Sequence, residues 1–248
     1  MTDLYLLGSG ILSFLDVTLY TQRILKSCGR VLYLHDMPTL DGYLDELCPG
    51  AVNLMPLYYV DGRERTAIYD DIVRHVLDAV ASGPRPVGLL LHGHPYVYSS
   101  ISQRVLAEAR AAGHAVEIVP AVSSIDRMVA DLELDIGNRG VQILHATVAI
   151  AETIAINPQL DCFLFQVGAL MKPLATRAAS LAREEVEPLK RYLQRFYPDD
   201  HAVTIVECAV ELGFDSQLTP ATVGRLEEAA TAMDYTATLF VPRVHGSG

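Results

Sequence analysis

Four short stretches of this 248-residue chain hold residue types that can do chemistry. The most pointed is an apolar run, Val87-Gly88-Leu89-Leu90-Leu91, that ends abruptly in His92-Gly93-His94-Pro95-Tyr96-Val97-Tyr98. An apolar run with polar residues only at its carboxyl end reads as a central strand of a parallel sheet. In open α/β sheets, ligands sit outside the carboxyl ends of the strands. Gly93 lets a ligand approach the backbone closely, and Pro95 turns the chain. Turn composition alone leaves two readings open, a ligand-binding loop and an ordinary strand-to-helix turn. The second stretch runs from Tyr58 to Tyr69 and holds three tyrosines, Tyr58, Tyr59 and Tyr69, and two arginines, Arg63 and Arg65. A helix that begins near Glu64 puts Arg65 and Tyr69 four apart on one face. The bland alternative is a solvated first turn with half-buried tyrosines. Third, Ser123 and Ser124 precede a helix whose exposed amides could hold a carboxylate or hydroxyl, or which they simply cap. Fourth, Gly8-Ser9-Gly10 follows an apolar strand and invites a dinucleotide reading, with Asp36 as the ribose-binding acid. The third glycine of that fingerprint is Ser13 here, so the pattern is incomplete.

The elements that must position these residues alternate regularly in the first half. Residues 3–7 and Arg30 to His35 read as strands around a helix from Ser13, its N-cap, to Ser27. A short helix spans Leu40 to Leu47, and the Arg65 helix runs to Ala81. The central strand is followed by a helix capped by Ser99 or Ser100 that runs to Ala112 and closes at Gly113-His114. Ala115 to Val119 is a further strand. The second half has strands at Val141 to Leu144, Cys162 to Gln166, Ala202 to Glu207 and Thr236 to Val241. Helices are expected near Val148 to Ile156, Leu174 to Phe196 with Pro188 interrupting it, and Pro220 to Met233. The expected fold is α/β in two lobes, residues 1–121 and 122–248, without a long linker.

Composition narrows the classes. Half the residues are hydrophobic, a fifth are charged, and the net charge is −11. This is a globular composition, and the absence of a dense Lys/Arg cluster argues against a nucleic-acid partner. No apolar run reaches the roughly 18 residues that span a bilayer, and Met1-Thr2-Asp3 lacks the basic start of a signal peptide. Cys28, Cys48, Cys162 and Cys208 are isolated, with no CxxC and no histidine at metal spacing, and read as reduced thiols of a cytoplasmic protein without a metal site. Residues 246–248 read as a flexible end.

In chain order the stretches Gly8-Ser9-Gly10, Gly93-His94-Pro95-Tyr96-Val97-Tyr98-Ser99, Pro120-Ala121-Val122-Ser123-Ser124, Phe165-Gln166-Val167-Gly168 and Ala237-Thr238-Leu239-Phe240-Val241-Pro242 resemble the tetrapyrrole methylase superfamily of S-adenosylmethionine-dependent enzymes. The resemblance spans nearly the whole chain. Two departures stand out. Corrin-pathway members carry an acid where His94 stands, and the first loop lacks the usual Gly-Pro-Gly. The histidine form of the loop, with Tyr59-x-x-Gly62-Arg63-x-Arg65-x-x-x-Tyr69, is more similar to the borosin peptide backbone α-N-methyltransferases.

That resemblance implies two α/β lobes with S-adenosylmethionine in the cleft between them, usually in a homodimer. It implies cofactor contacts from Gly8, His94, Pro95, Val97, Tyr98, Ser123, Ser124, Gln166 and Thr238. It implies a reaction site at Arg65, Tyr69 and Tyr59. His92 replaces a tyrosine common in the family. The implied activity is methylation of backbone amides in a separate precursor peptide, since the chain closes at Val241-Pro242-Arg243-Val244-His245-Gly246 without a peptide of its own to modify. The alternative acceptor is a small-molecule natural product or tetrapyrrole. An amide nitrogen is a poor nucleophile and needs a cation or donor at its oxygen, which suits Arg65. Tyr69 or Tyr59 would assist as donor or, if ionised, as base, and His92 is expected to accept a proton near neutral pH.

Overall fold

The computed structural model describes residues 1–170, 172–175 and 180–244, so residues 246–248 lie outside the described residues. Two compact units divide the chain. The first comprises Met1–Arg127, Pro173–Ala175 and Val210–Phe214. The second comprises the described residues of Met128–Lys172, Thr176–Ala209 and Asp215–Gly248.

The first unit is built on a parallel five-stranded sheet in the order β3-β2-β4-β1-β5. Its strands are β1 (Leu4–Gly8), β2 (Arg30–Leu34), β3 (Val52–Asn53), β4 (Val87–Leu91) and β5 (Val116–Ile118). Each strand sends alternate residues to opposite faces. Leu4, Leu6, Leu32, Leu34, Leu89 and Leu91 pack against α4 (Arg65–Ser82) and α5 (Ser100–Ala111). Leu7, Val31, Tyr33 and Leu90 pack against α1 (Leu19–Ser27) and α2 (Pro38–Leu47). In α4 the buried residues Ile68, Ile72, Val76 and Val80 recur every four positions, which makes one apolar stripe facing the sheet. Because both faces are covered, β4 is buried along its whole length, as its unbroken apolar run predicts.

The second unit carries the order β6-β7-β10-β8-β9. Here β6 (Val141–His145) and β7 (Asp161–Phe165) are parallel. β10 (Thr238–Val241), β8 (Ala202–Glu207) and β9 (Gln217–Thr222) add in antiparallel fashion. The core is closed by α8 (Ala146–Ala151), α9 (Arg183–Leu193) and a 3-10 stretch over Val223–Ala232. Two short helices, α6 (Ser124–Asp131) and α7 (Ile136–Arg139), precede β6, and α3 (Met55–Tyr58) precedes α4.

Several elements differ from the sequence expectation. Ser13 is not an N-cap: a single 3-10 turn, Ser13–Asp16, comes first, and α1 starts after Thr18, whose hydroxyl accepts the Thr21 amide. The expected helix at Pro220 is a strand as far as Thr222. Proline cannot donate to a ladder, but β9 lies at the sheet edge, where one missing donor is tolerated. Of the helix expected from Leu174, Leu174 and Ala175 pair with the residues before α4 instead, residues 176–179 lie outside the described residues, and α9 is described from Arg183, where the Glu185 carboxylate accepts the Ala182 amide. It then continues through Pro188, because Val186, Leu189 and Leu193 bury a common face on either side of it. The helix expected to Ile156 stops at Ala151, and Thr153 takes a left-handed φ of 52°.

Candidate active site

In the first unit the carboxyl ends of β1 and β4 lie side by side, and the loops that leave them are tied together. The Ser9 amide donates to the Leu91 carbonyl at 2.8 Å, and the Gly93 amide donates to the Gly10 carbonyl at 2.9 Å. Gly8 is enclosed by this arrangement. A Cβ there would stand 2.2 Å from the Gly93 carbonyl oxygen, 2.6 Å from the Ala121 Cβ and 2.8 Å from Pro95 Cδ. Only glycine lets the three loops converge. Gly10 has a φ of +77°, and its own Cβ position is filled by Asp16. The Asp16 carboxylate accepts the amides of Ile11 and Leu12 at 3.0 and 2.8 Å. These amides are therefore occupied by a side chain of the same unit, which removes the phosphate cradle that the dinucleotide reading needs.

The β4 loop is equally fixed. Gly93 takes a φ of +70° and Tyr98 one of +51°. His94 Nδ1 accepts the Tyr96 amide at 3.1 Å, so the neutral ring carries its proton on Nε2. Burial lowers the His94 pKa, partly opposed by Asp126. Ser123 turns inward to the start of its own helix, since its amide and hydroxyl each donate to Asp126 at 2.7 Å. Burial works against the Asp126 carboxylate, but those bonds, its own amide and the nearby His94 hold it below the usual range. Ser99 caps α5 by accepting the Ser102 amide. Pro95 is buried, while His94, Val97, Tyr98 and Ser124 are half-buried beside this loop cluster.

The stretch that leads into α4 gathers Arg65, Tyr69 and Tyr59. The segment 173–175 returns to the first unit and pairs with the helix start. The Arg65 amide donates to the Pro173 carbonyl at 2.9 Å, the Ala175 amide donates to the Arg63 carbonyl at 2.8 Å, and the Gly62 amide donates to the Ala175 carbonyl at 3.0 Å. Arg63 forms an ion pair with Asp71. Arg63 is thereby engaged in structure, which leaves Arg65 as the guanidinium beside the tyrosines. Burial, more than any other influence, drives the Tyr59 pKa upward; a hydrogen bond with Tyr69 adds to this, and the Arg65 charge partly offsets it. Tyr59 is therefore a hydrogen-bond donor, not an ionised base. Tyr58 turns away and bonds His75 Nδ1 at 2.8 Å.

His92 leaves β4 next to His35, which leaves β2, with ring centroids 5.2 Å apart and planes at 73°. Burial lowers the His92 pKa to about 4, although Asp16 opposes the shift, yet the ring keeps an open surface. It is neutral throughout the physiological range, so it offers a free nitrogen but is a weaker base than a histidine poised near pH 7. His35, Asp16 and Asp126 belong to this site and were not singled out for it by sequence. The only signal for His35 was a histidine at the end of an apolar strand.

In the second unit, Gln166 leaves β7 in a left-handed conformation, with a φ of 62°. Thr238, 3 % exposed, begins β10 next to the Leu239–Leu164 pair. The two thus share one end of that sheet. Among the described residues no cluster of three His, Cys, Asp or Glu has metal-binding geometry, and no helix is long and apolar enough to cross a membrane.

Comparison with known proteins places this geometry among relatives. A family model described as tetrapyrrole (corrin/porphyrin) methylases matches residues 3–227. A methyltransferase/ribosomally synthesized type I borosin cyclic peptide precursor of Serendipita vermifera subsp. bescii is 32% identical over 168 residues, 68% of this chain and 41% of that protein. A type II borosin precursor of the same description from Phlebiopsis gigantea is 27% identical over 242 residues, 97% of this chain and 43% of that protein. The chain thus spans about two-fifths of the length of these curated relatives. A crystal structure of uroporphyrin-III C-methyltransferase from Thermus thermophilus complexed with S-adenosylhomocysteine has a TM-score of 0.63 at 19% identity. It covers 97% of each chain.

Proposed function

This chain belongs to the tetrapyrrole (corrin/porphyrin) methylases, and from that premise we propose that it is an S-adenosylmethionine-dependent methyltransferase acting on backbone amide nitrogens of a peptide that reaches it as a separate molecule. The observation that carries the amide reading is the group at the start of α4, where Tyr59, kept protonated by burial, and Tyr69 pack on one core cluster within reach of the Arg65 charge. The borosin relatives support the same acceptor class.

The residues fit the cofactor. Gly8 lets the Gly93 carbonyl, Ala121 and Pro95 close over it, and the loop tied across it presents His94, Val97 and Tyr98 at the carboxyl edge of the sheet, where α/β folds bind ligands. Ser124, Gln166 and Thr238 complete the proposed set. Ser123 contributes by fixing Asp126 rather than by offering a free hydroxyl. When bound, S-adenosylmethionine supplies an electrophilic methyl group.

The chain's own task is the acceptor. Arg65, permanently charged, donates to the amide oxygen and stabilises the negative charge that gathers there as the nitrogen becomes nucleophilic. Tyr59 and Tyr69 add neutral donors. As the N–C bond forms and the S–C bond breaks, the amide proton leaves for a ring nitrogen of neutral His92 and then solvent. Fixing the acceptor in line accounts for much of the rate, since positioning contributes about 7–11 kcal/mol in well-oriented reactions.

The test is mass spectrometry of short capped peptides incubated with the chain and isotopically labelled cofactor. Labelled methyl on backbone nitrogen supports the reading. Label on a tetrapyrrole and none on any peptide overturns it.

A further inference from the structure

The first unit holds a cleft that the methylation chemistry does not use. It measures about 440 Å³ and is lined wholly by residues of that unit. Small-ligand sites have volumes of this order. One wall is a flank of α4, on which Asp71, His75, Asp78 and Ser82 recur every three or four positions. Arg30, the first residue of β2, also lines it. β3 covers β2 only at Leu32 and Tyr33, so at Arg30 the outer edge of β2 has no paired strand among the described residues.

The charges of this cleft are set apart rather than paired. Arg30 and Asp78 both line it and both are exposed. Neither the guanidinium nor the carboxylate has a hydrogen-bond or ion-pair partner among the described residues. Asp71, by contrast, is already engaged by Arg63 and Arg74. Tyr58 Oη and His75 Nδ1 lie 2.8 Å apart, which leaves His75 Nε2 open for a further bond. Ala79, 2 % exposed, adds an apolar patch. Arg30 Cζ lies 3.5 Å from the Cβ position of Gly83, just past the end of α4. Asp78 stands earlier on the same helix, about 7 Å from Gly83 along the axis.

We propose that this cleft binds a small zwitterion of the dipeptide class, with its carboxylate on Arg30 and its ammonium on Asp78. An anion alone would meet the Asp78 charge, and a cation alone would meet the Arg30 charge. Only a ligand that carries both signs uses both free groups. The spacing selects its length. The termini of a dipeptide are about two residue steps of about 3.5 Å apart, which matches the separation along α4, whereas a single amino acid is too short. Tyr58 and His75 supply polar atoms for the amide that joins the two halves. Because Arg30 and Asp78 are exposed, water screens both, and the affinity is on the order of millimolar. Arg65, Tyr69 and Tyr59 do not line the cleft, so it takes such a ligand whether or not the chain methylates peptides.

The test titrates L-alanyl-L-alanine into the full chain, followed by the His75 ring resonances of histidine-labelled protein and by calorimetry. Saturable binding that moves His75 is expected. Acetylating the probe removes its ammonium, and amidating it removes its carboxylate. Each change should weaken binding about tenfold, as should Asp78→Asn and Arg30→Gln, the effect of losing one partly screened charged hydrogen bond. The losses should also match in pairs. Asp78→Asn no longer distinguishes the acetylated probe from the free one, and Arg30→Gln no longer distinguishes the amide. Unchanged S-adenosylhomocysteine affinity in both variants shows that they fold. Absence of saturable binding overturns the proposal, as does equal affinity for free and blocked dipeptides. So does binding that Arg65→Ala weakens and the two cleft variants do not, which assigns the dipeptide to the acceptor site. A lower melting temperature in Arg30→Gln with dipeptide affinity unchanged overturns it too, and assigns the guanidinium to the carboxyl end of α4.

Discussion

Replacing Gly8 by alanine tests the convergence of three loops at one point. The added Cβ would meet the Gly93 carbonyl at 2.2 Å, with Ala121 and Pro95 both inside 3 Å. None of these is the far end of a flexible side chain, so relief requires the β4 loop to move by about 1 Å. Overpacking a tight site costs about 1–3 kcal/mol, and two backbone-anchored contacts put Gly8→Ala at the top of that range. For a chain of this size about 3 kcal/mol lowers the melting temperature by about 6–12 °C. The same movement displaces His94 and Val97, and a shift of about 1 Å in a positioning group costs about a hundredfold in rate. Gly42→Ala is the control. Gly42 lies inside α2 with nothing within 4 Å of its Cβ position, so alanine there stabilises by about 0.5–1 kcal/mol. Thermal unfolding and S-adenosylhomocysteine calorimetry on the two variants give the answer. If Gly8→Ala melts with wild type and binds S-adenosylhomocysteine equally well, the loops do not converge as described and the reasoning is wrong.

Other substitutions separate the roles of the site. Arg65→Ala should lower kcat by about 10²–10³, the usual effect of removing a charge-stabilising donor, with S-adenosylhomocysteine affinity kept; Arg65→Lys should recover only part of it. Tyr59→Phe removes a protonated donor and should lower kcat without moving the alkaline limb of the pH profile, whereas loss of that limb would mean Tyr59 acts ionised. Thr18→Ala removes the α1 cap and should cost about 1 kcal/mol in thermal stability, while Ser13→Ala removes no helix cap; a larger loss from the latter would contradict the observed start of α1. For pH, the folded pKa of His35 is about 3, below its unfolded value. The unfolded chain therefore binds a proton that the folded chain does not as pH falls from about 6.5. The stability due to neutral His35 is complete above that point and declines below it, by about 1.4 kcal/mol per pH unit. His35→Gln should flatten urea-unfolding stability between pH 6.5 and 5 by that one proton; an unchanged slope would deny the buried neutral histidine.

The first unit was legible because its chemistry is periodic. Leu4, Leu6 and Leu7, then Leu32 and Tyr33, then Leu89 and Leu90, announce strands covered on both faces, and Ser99 and Glu64 mark helix starts close to the observed ones. The second unit was harder. β9 is an exposed edge strand with a proline, so neither alternation nor β-propensity marks it. Ser13 resembles a cap in composition, but Asp16 closes the amides of that turn and passes the cap to Thr18. At the site, spacing alone put Arg65 and Tyr69 on one face, while Tyr59 joins them only because the loop folds back under the pairing with residues 173–175. His35 had no motif at all. Its low pKa comes from burial and a neighbouring histidine on an adjacent strand, neither of which a single sequence displays.

The central claim is that Arg65 activates an amide acceptor without holding the cofactor. Its most direct measurement is backbone-methyl counting by tandem mass spectrometry on a capped peptide, for wild type and Arg65→Ala at equal S-adenosylhomocysteine affinity. The account predicts methylated amides from wild type and almost none from the variant. Equal methylation by both chains, or cofactor affinity that falls in step with methylation, would contradict it.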